Sequence, residues 1–314
     1  MNDSAVLSLD VGGTKMAAAV VSEAGHLLSR AQVPTPIGAG SEELFGSAIF
    51  VLDVALSDMA DAPAIRGLGV GCGGPMKWPS GDVSPLNLPG WRDFPLRDRL
   101  SDRFGLPVRV HNDAVCLALG EHLNGAGAGT NNMMGMVVST GVGGGLILGG
   151  RLLDGSSGNA GHIGHVVVDP DGPACSCGGF GCLEVIARGP ALARWAMQQG
   201  WVPQSETHSA ADLADAARAG DQIGVAAFRR CGEAIGIAIA SCAALLDLEL
   251  VVLGGGVSRS GDLLMDAVYA AFERHAGLDF VRRCRIVLAA DDSGLIGAAN
   301  LFTGAAAHWH GDTA

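Results

Sequence analysis

An α/β protein made of two related halves is predicted by three observations. At the N-terminus, V-L-S-L-D (6–10), G-G-T (12–14) and K-M-A-A-A-V-V (15–21) read as strand, tight turn and strand. The same device recurs downstream, where a strand over 133–139 meets T-G-V-G-G-G at 140–145 and a second strand follows over 146–149. Between the two copies, G-A-G-A-G-T-N-N at 125–132 is nearly free of side chains and marks a hinge or domain boundary. Each half would then offer one glycine-rich loop to the phosphates of a nucleotide in a shared cleft. The expected domains are a small N-terminal one, 1–124, and a large one, 125–292.

The elements follow in order. A turn at 22–25 leads to a third strand over 26–33, so a meander opens the fold. The first glycine turn joins two strands and lacks the G-x-G-x-x-G order, which separates it from a dinucleotide-binding turn. Its backbone N–H groups at Gly12, Gly13 and Thr14, with Lys15 at the exit, suit a phosphate, and Asp10 at the strand end suits a cation held through water. A plain hairpin is the alternative.

Ser41 reads as an N-cap, with Glu42 and Glu43 in the first turn and Leu44, Ala48, Leu52, Ala55 and Met59 at helical spacing. A buried strand over 65–71 runs into G-C-G-G-P at 71–75, and N-L-P-G-W lies in the loop at 87–91. A short helix over 98–104 ends at Gly105, a strand covers 108–110, and Asn112 and Asp113 stand where it hands over to a helix reaching about Leu123. Asp113 there is either an N-cap or a functional carboxylate. Later helices are expected over 210–219, 222–246, 262–275 and 293–302, with strands over 248–253 and 286–289. Gly254, Gly255 and Gly256 end the first of those strands, where backbone could carry a base or ribose or simply turn.

Composition removes several classes. The chain has 314 residues and a formal net charge of -12, which argues against a nucleic-acid surface. No N-terminal signal is apparent, and the longest apolar run, 234–246, is too short to span a bilayer, so a cytoplasmic location is expected. Of the 8 cysteines, Cys72, Cys116, Cys231, Cys242 and Cys284 read as buried thiols. The other three follow His165 as H-x9-C-x-C-x4-C: Cys175, Cys177 and Cys182. Three thiolates and one imidazole suit a closed, structural zinc site, with ordinary buried cysteines as the alternative.

Taken together and in this order, the motifs resemble the ROK family of bacterial sugar kinases and repressors. L-D-V-G-G-T-K at 9–15 and S-T-G-V-G-G-G at 139–145 are similar to its two phosphate motifs, and C-S-C-G-G-F-G-C-L-E at 175–184 to its zinc motif. G-V-G-C-G-G-P, N-L-P-G-W, H-N-D-A, V-L-G-G-G-V and S-G-L-I-G-A-A stand in family order. The resemblance implies the actin-like, ribonuclease H-like ATPase fold: two α/β domains flanking a nucleotide and sugar cleft, with the C-terminal helix, about 293–314, returning to join the small N-terminal domain. It also implies transfer of the γ-phosphoryl of ATP, with Mg²⁺, to a sugar hydroxyl, usually the 6-hydroxyl of a hexose.

A sugar hydroxyl is a poor nucleophile, so a carboxylate must take its proton. Asp113 matches the family's catalytic aspartate. Asn112, His165 and Glu184 match its sugar ligands, and Gly74 and Asn87 would line the same pocket. Thr140 and Gly141 fall in the second phosphate motif. One departure is notable: H-I-G-H at 162–165 puts His162 where the family usually has Glu. A Glu only accepts hydrogen bonds, whereas an imidazole also donates, so an amino sugar or a cyclitol competes with glucose as substrate, and a core histidine without a ligand is a further alternative. The rival functions are a sugar sensor without catalysis and a hydrolase with catalytic zinc. Four protein ligands leave no open zinc position for the latter. The chain opens directly at the first phosphate motif, so no DNA-binding domain is expected ahead of it. Relatives imply a homo-oligomer, a dimer or tetramer.

Overall fold

The computed structural model describes residues 4–58, 63–203, 208–304 and 308–309. The opening meander is β1 (Ser4–Val11), β2 (Lys15–Ser22) and β3 (Leu27–Pro34), followed by α1 (Ser41–Ser57) and β4 (Ala64–Cys72). Three two-residue strands, β5 (Met76–Lys77), β6 (Asp82–Val83) and β7 (Phe94–Pro95), form a small sheet of their own. They lead to α2 (Leu96–Phe104), β8 (Val108–Asn112) and α3 (Asp113–Asn124). The main sheet runs β3-β2-β1-β4-β8, antiparallel from β1 to β3 and parallel from β1 to β8.

β9 (Met133–Val138), β10 (Val142–Leu148) and β11 (Arg151–Leu152) open a second five-stranded sheet. The helices α4 (Leu183–Ala187), α5 (Gly189–Gln198), α6 (Ala210–Arg218) and α7 (Gln222–Leu246) follow. After them come β12 (Leu250–Gly254), α8 (Asp262–His275), α9 (Asp279–Arg282), β13 (Arg285–Leu288) and α10 (Ser293–Thr303). This sheet has the order β11-β10-β9-β12-β13, with β12 parallel to both β9 and β13. The described residues up to Asn131, Gly145–Gly161 and those from Ala289 onward form one compact unit; Asn132–Gly144 and His162–Leu288 form the other.

In the first unit both faces of the sheet are covered, so β1 and β2 are buried at nearly every position, Ser8 included. Leu7, Leu9, Met16, Ala18 and Val20 join Leu44, Ala48 and Leu52 of α1 in one core. Val6, Ala17, Ala19 and Val21 face the other way, onto Leu295 and Ala299 of α10.

Three local expectations change. Gly40, not Ser41, is the N-cap of α1, and Ser41 is the first helical residue. The glycines at 143–145 do not form the turn: Ser139 N–H donates to Gly141 O at 2.8 Å, the reversal is complete by Val142, and they continue inside β10. Cys242 is only half-buried, while Cys72, Cys116, Cys231 and Cys284 are buried. Met59, and residues 305–307 and 310–314 of the expected C-terminal helix, lie outside the described residues. No described helix is long and apolar enough to cross a membrane.

Candidate active site

In the first unit, three parallel strands end side by side. Asp10 of β1 is in register with Gly71 of β4, and Gly71 with His111 of β8; the next row is Val11, Cys72 and Asn112. Register alone therefore brings Asp10, the glycine run after β4 and the Asn112–Asp113 junction to the carboxyl ends of the strands, where open α/β sheets bind ligands. Asn112 is the N-cap of α3 and Asp113 its first residue, and the Oδ1 atoms of both accept from Ala114 N–H at 2.9 Å.

Asp10 and Asp113 keep partial solvent contact but sit deep among protein atoms. Burial raises Asp113 above the ordinary carboxylate range, against the pull of the backbone N–H groups of Ala114 and of Asp113 itself. Burial pushes Asp10 further, up to about 7, helped by the Asp113 and Asp292 charges and opposed by Lys15. Two neighbouring carboxylates in a desolvated setting do not ionise together without cost.

The glycine turn beside Asp10 closes through Gly12 N–H to Lys15 O at 3.0 Å. Thr35, which the sequence does not single out, braces it: its Oγ1 donates to Gly12 O at 2.7 Å and its N–H to Thr14 O at 3.0 Å. Thr14 itself is exposed, and Gly12 and Gly13 are half-buried. Gly74 O accepts from Leu86 N–H at 3.2 Å, and the Asn87 amide lies against Gly73, so this loop folds back on the glycine run. Next to these groups, His111 is 1% exposed and accepts Asn112 N–H at Nδ1 over 2.8 Å. Its Nε2 lies 3.0 Å from Asp154 Oδ1.

In the second unit, the turn carrying Thr140 and Gly141 and the turn of Gly254, Gly255 and Gly256 are neighbours. Gly254 is in register with Val137, Val257 N–H donates to Val138 O at 3.0 Å, and Gly189 N–H donates to Ser139 O at 2.8 Å. Glu184, 6% exposed on the first turn of α4, accepts from Val142 N–H at 3.0 Å at its Oε2. A Cβ on Gly141 would stand 3.1 Å from that same oxygen, so Glu184 lies directly against the Thr140–Gly141 turn.

His162 and His165 flank a short helical turn with their rings stacked, centroids 6.2 Å apart. His165 Nδ1 faces the thiols, 3.8 Å from Cys175 Sγ, and Cys177 and Cys182 Sγ are 3.7 Å apart. The four donor atoms all lie within 4.8 Å of one another. A tetrahedron with arms of about 2.3 Å, the zinc–sulfur length, has edges of roughly 3.8 Å, so the donor set fits such an ion. The local fold makes this spacing: Cys175 N–H donates to Gly179 O at 2.8 Å and Gly178 N–H to Cys175 O at 3.0 Å, a knuckle that turns the thiols inward. Gly181 is obligatory, because its φ is +64° and a Cβ would fall 1.5 Å from Asp169 O. The thiols differ in acidity. The Gly179 N–H and the Cys175 thiol lower Cys177, whereas burial pushes Cys182 up to about 12.

A model of the ROK family matches residues 6–305. The chain belongs to the ROK family. Among relatives, the glucokinase of Halalkalibacterium halodurans is 36% identical over 316 residues, covering 95% of this chain and 94% of that one. The N-acetylmannosamine kinase of Yersinia pseudotuberculosis is 39% identical over 295 residues, covering 93% and 96%. The ROK glucokinase of Streptomyces griseus, solved with glucose and AMPPNP, superposes with a TM-score of 0.81 at 34% identity, covering 95% of this chain and 98% of that one. The fold is thus the actin-like ATPase architecture that the ROK motifs imply. Within it, Asp154 and Thr35 are side chains around the candidate site that no quoted motif contains, and His111, the first residue of H-N-D-A, is one to which that motif assigns no role. Loop packing alone brings Thr35 and Asp154 there.

Proposed function

We propose that this ROK chain is an ATP-dependent kinase that transfers the γ-phosphoryl group of ATP to a hydroxyl of a hexose or hexose-like sugar, at the 6-hydroxyl, with Asp113 as general base. The observation that carries this is the Asp113 carboxylate: it stands at the head of α3, at the carboxyl ends of parallel strands, and burial has raised its affinity for a proton. As the sugar oxygen bonds to phosphorus, the bond from phosphorus to the ADP oxygen breaks and the hydroxyl proton passes to Asp113. Asn112, Glu184 and His165 orient the sugar through directional hydrogen bonds, with Gly74 and Asn87 lining the pocket. The Gly12–Thr14 turn, Lys15, Thr140, Gly141 and Gly254–Gly256 hold the nucleotide.

Mg²⁺ accompanies ATP and neutralises its phosphates, and Asp10 is the nearest protein group to hold it through water. His165, Cys175, Cys177 and Cys182 would hold a structural zinc ion, which keeps His165 in place beside the sugar. The same reading includes a cytoplasmic homo-oligomer, measurable by sedimentation.

A second substrate class is favoured by one residue. His162 stands in H-I-G-H where the family usually has Glu, and its ring is stacked on that of His165. An imidazole offers a donor as well as an acceptor, so an amino sugar or a cyclitol suits this position better than a hydroxyl pattern read by carboxylate alone. The deciding experiment is ADP release from Mg-ATP across hexoses, N-acetylated hexosamines and cyclitols. At least one should turn over, and Asp113→Asn should lower kcat about 10²–10⁴-fold while sugar binding persists. A silent panel removes the kinase assignment. Near-normal turnover in the variant removes Asp113 as the base.

A further inference from the structure

We propose that His111 and Asp154 are a positioning pair for phosphoryl transfer, fixing the Asn112–Asp113 junction through the Asn112 amide. The inference rests on Asp113 being the base. Both ring nitrogens of His111 are committed. Nδ1 accepts Asn112 N–H at 2.8 Å, so the proton of the neutral ring is on Nε2, where Asp154 Oδ1 receives it at 3.0 Å. The two side chains are 1% and 10% exposed, so water does not compete for either contact.

Geometry gives this bond leverage. β8 ends at Asn112 and α3 begins at Asp113, leaving no loop between strand and helix. Asn112 has the extended backbone of an N-cap, φ −61° and ψ 142°, and that turn sets the direction in which Asp113 leaves the sheet. A ring that holds the Asn112 N–H therefore holds the base one residue away. Asp154 comes from the loop after β11, whose Ala160 N–H donates back to Asp154 O at 3.0 Å. Trp78 lies against the imidazole, centroids 6.3 Å apart, and closes another side of the ring. Misplacing a reacting group by about 1 Å costs on the order of 10²-fold in rate.

The two nitrogens can be tested separately. Asn in place of His keeps an acceptor at the δ position, and Gln keeps a donor at the ε position. His111→Gln should lower kcat roughly 10–100-fold with KM for sugar and ATP within about twofold, and His111→Asn should restore kcat to within about threefold of the parent. Asp154→Ala should follow His111→Gln, and Asp154→Asn, which keeps an oxygen for Nε2–H, should lie between. A ¹⁵N imidazole spectrum of the folded protein should show the Nε2–H tautomer. With Asp113→Asn inactive, unchanged kcat in His111→Gln and Asp154→Ala overturns the pair alone, as does an equal fall in the Asn and Gln variants or an Nδ1–H tautomer. An active Asp113→Asn overturns the base assignment and the pair's role with it.

Discussion

At the scale of single residues, the feature that most shapes behaviour is Asp10. Its pKa of about 7 lies well above its ordinary 3.8, with burial as the first cause and the Asp113 charge as the second. Between those two values the folded chain holds a proton that the unfolded chain has released. Folding is therefore favoured by this group below about pH 4, and that contribution is lost as pH rises through 7. At pH 8 the ionised carboxylate costs the nucleotide-free protein on the order of 2–4 kcal/mol, the lower figure allowing for its partial exposure. Asp10→Asn should accordingly stabilise the protein at pH 8 and lose that advantage near pH 4, while impairing Mg-ATP turnover. Denaturant midpoints of both proteins at the two pH values measure this, and a gap independent of pH would show that Asp10 is not proton-linked to folding. The identity of Asp10 and Asp113 as polar groups at strand ends is legible from local pattern. Their mutual influence is not, because it arises from the register of β1, β4 and β8, strands far apart in sequence.

At the scale of elements, most boundaries were legible where the hydrophobic period is long: α7 and α8 lie where periodicity puts them. What pattern could not distinguish is which helix glycines are structural. Gly46 lies inside α1, and a Cβ added there would meet nothing within 4 Å, whereas a Cβ on Gly297 of α10 would fall 1.6 Å from the carbonyl oxygen of Cys116 in α3. The same exchange therefore has opposite signs. Gly46→Ala should stabilise by about 0.5–1 kcal/mol through helix propensity. Gly297→Ala should cost about 3 kcal/mol or more, because backbone meets backbone and neither helix can yield. Urea midpoints of the two variants test this, and a mild effect at Gly297 would mean that α10 can lift from α3. The His165, Cys175, Cys177 and Cys182 cluster is the opposite case, because its donors are close in sequence and their convergence is legible from spacing. On the proposal that this cluster holds structural zinc, Cys177→Ser should abolish zinc binding on metal analysis and lower Tm, since the donor set no longer closes a tetrahedron. A zinc-free, equally stable variant would remove the structural role of the metal.

At the scale of the whole molecule, the path of the chain matters more than any motif. The first unit is left after Asn131 and re-entered at Ala289, and it also takes up Gly145–Gly161, an exchange that no linear segmentation of the sequence displays. The exit after Asn131 falls within the glycine run at 125–132; the return before α10 has no comparable run of glycines. One buried side chain holds both. Glu121, 1% exposed near the end of α3, accepts from Ala126 N–H at 2.9 Å on one oxygen and from Ala290 N–H at 2.7 Å and the Ser293 hydroxyl on the other. Three donors satisfy the two carboxyl oxygens, so burial leaves neither without a partner. Glu121→Gln turns one acceptor into a donor facing a backbone N–H, leaving a buried amide unpaired, and should cost about 1–3 kcal/mol; Glu121→Ala, which orphans all three donors, should cost more. The distinctive readout is hydrogen exchange. Protection of the Ala126 and Ala290 amides should fall together in Glu121→Gln, although the two are distant in sequence. If they lose protection independently, or the unfolding midpoint does not move, Glu121 is a local cap of α3 and the two stretches are anchored separately.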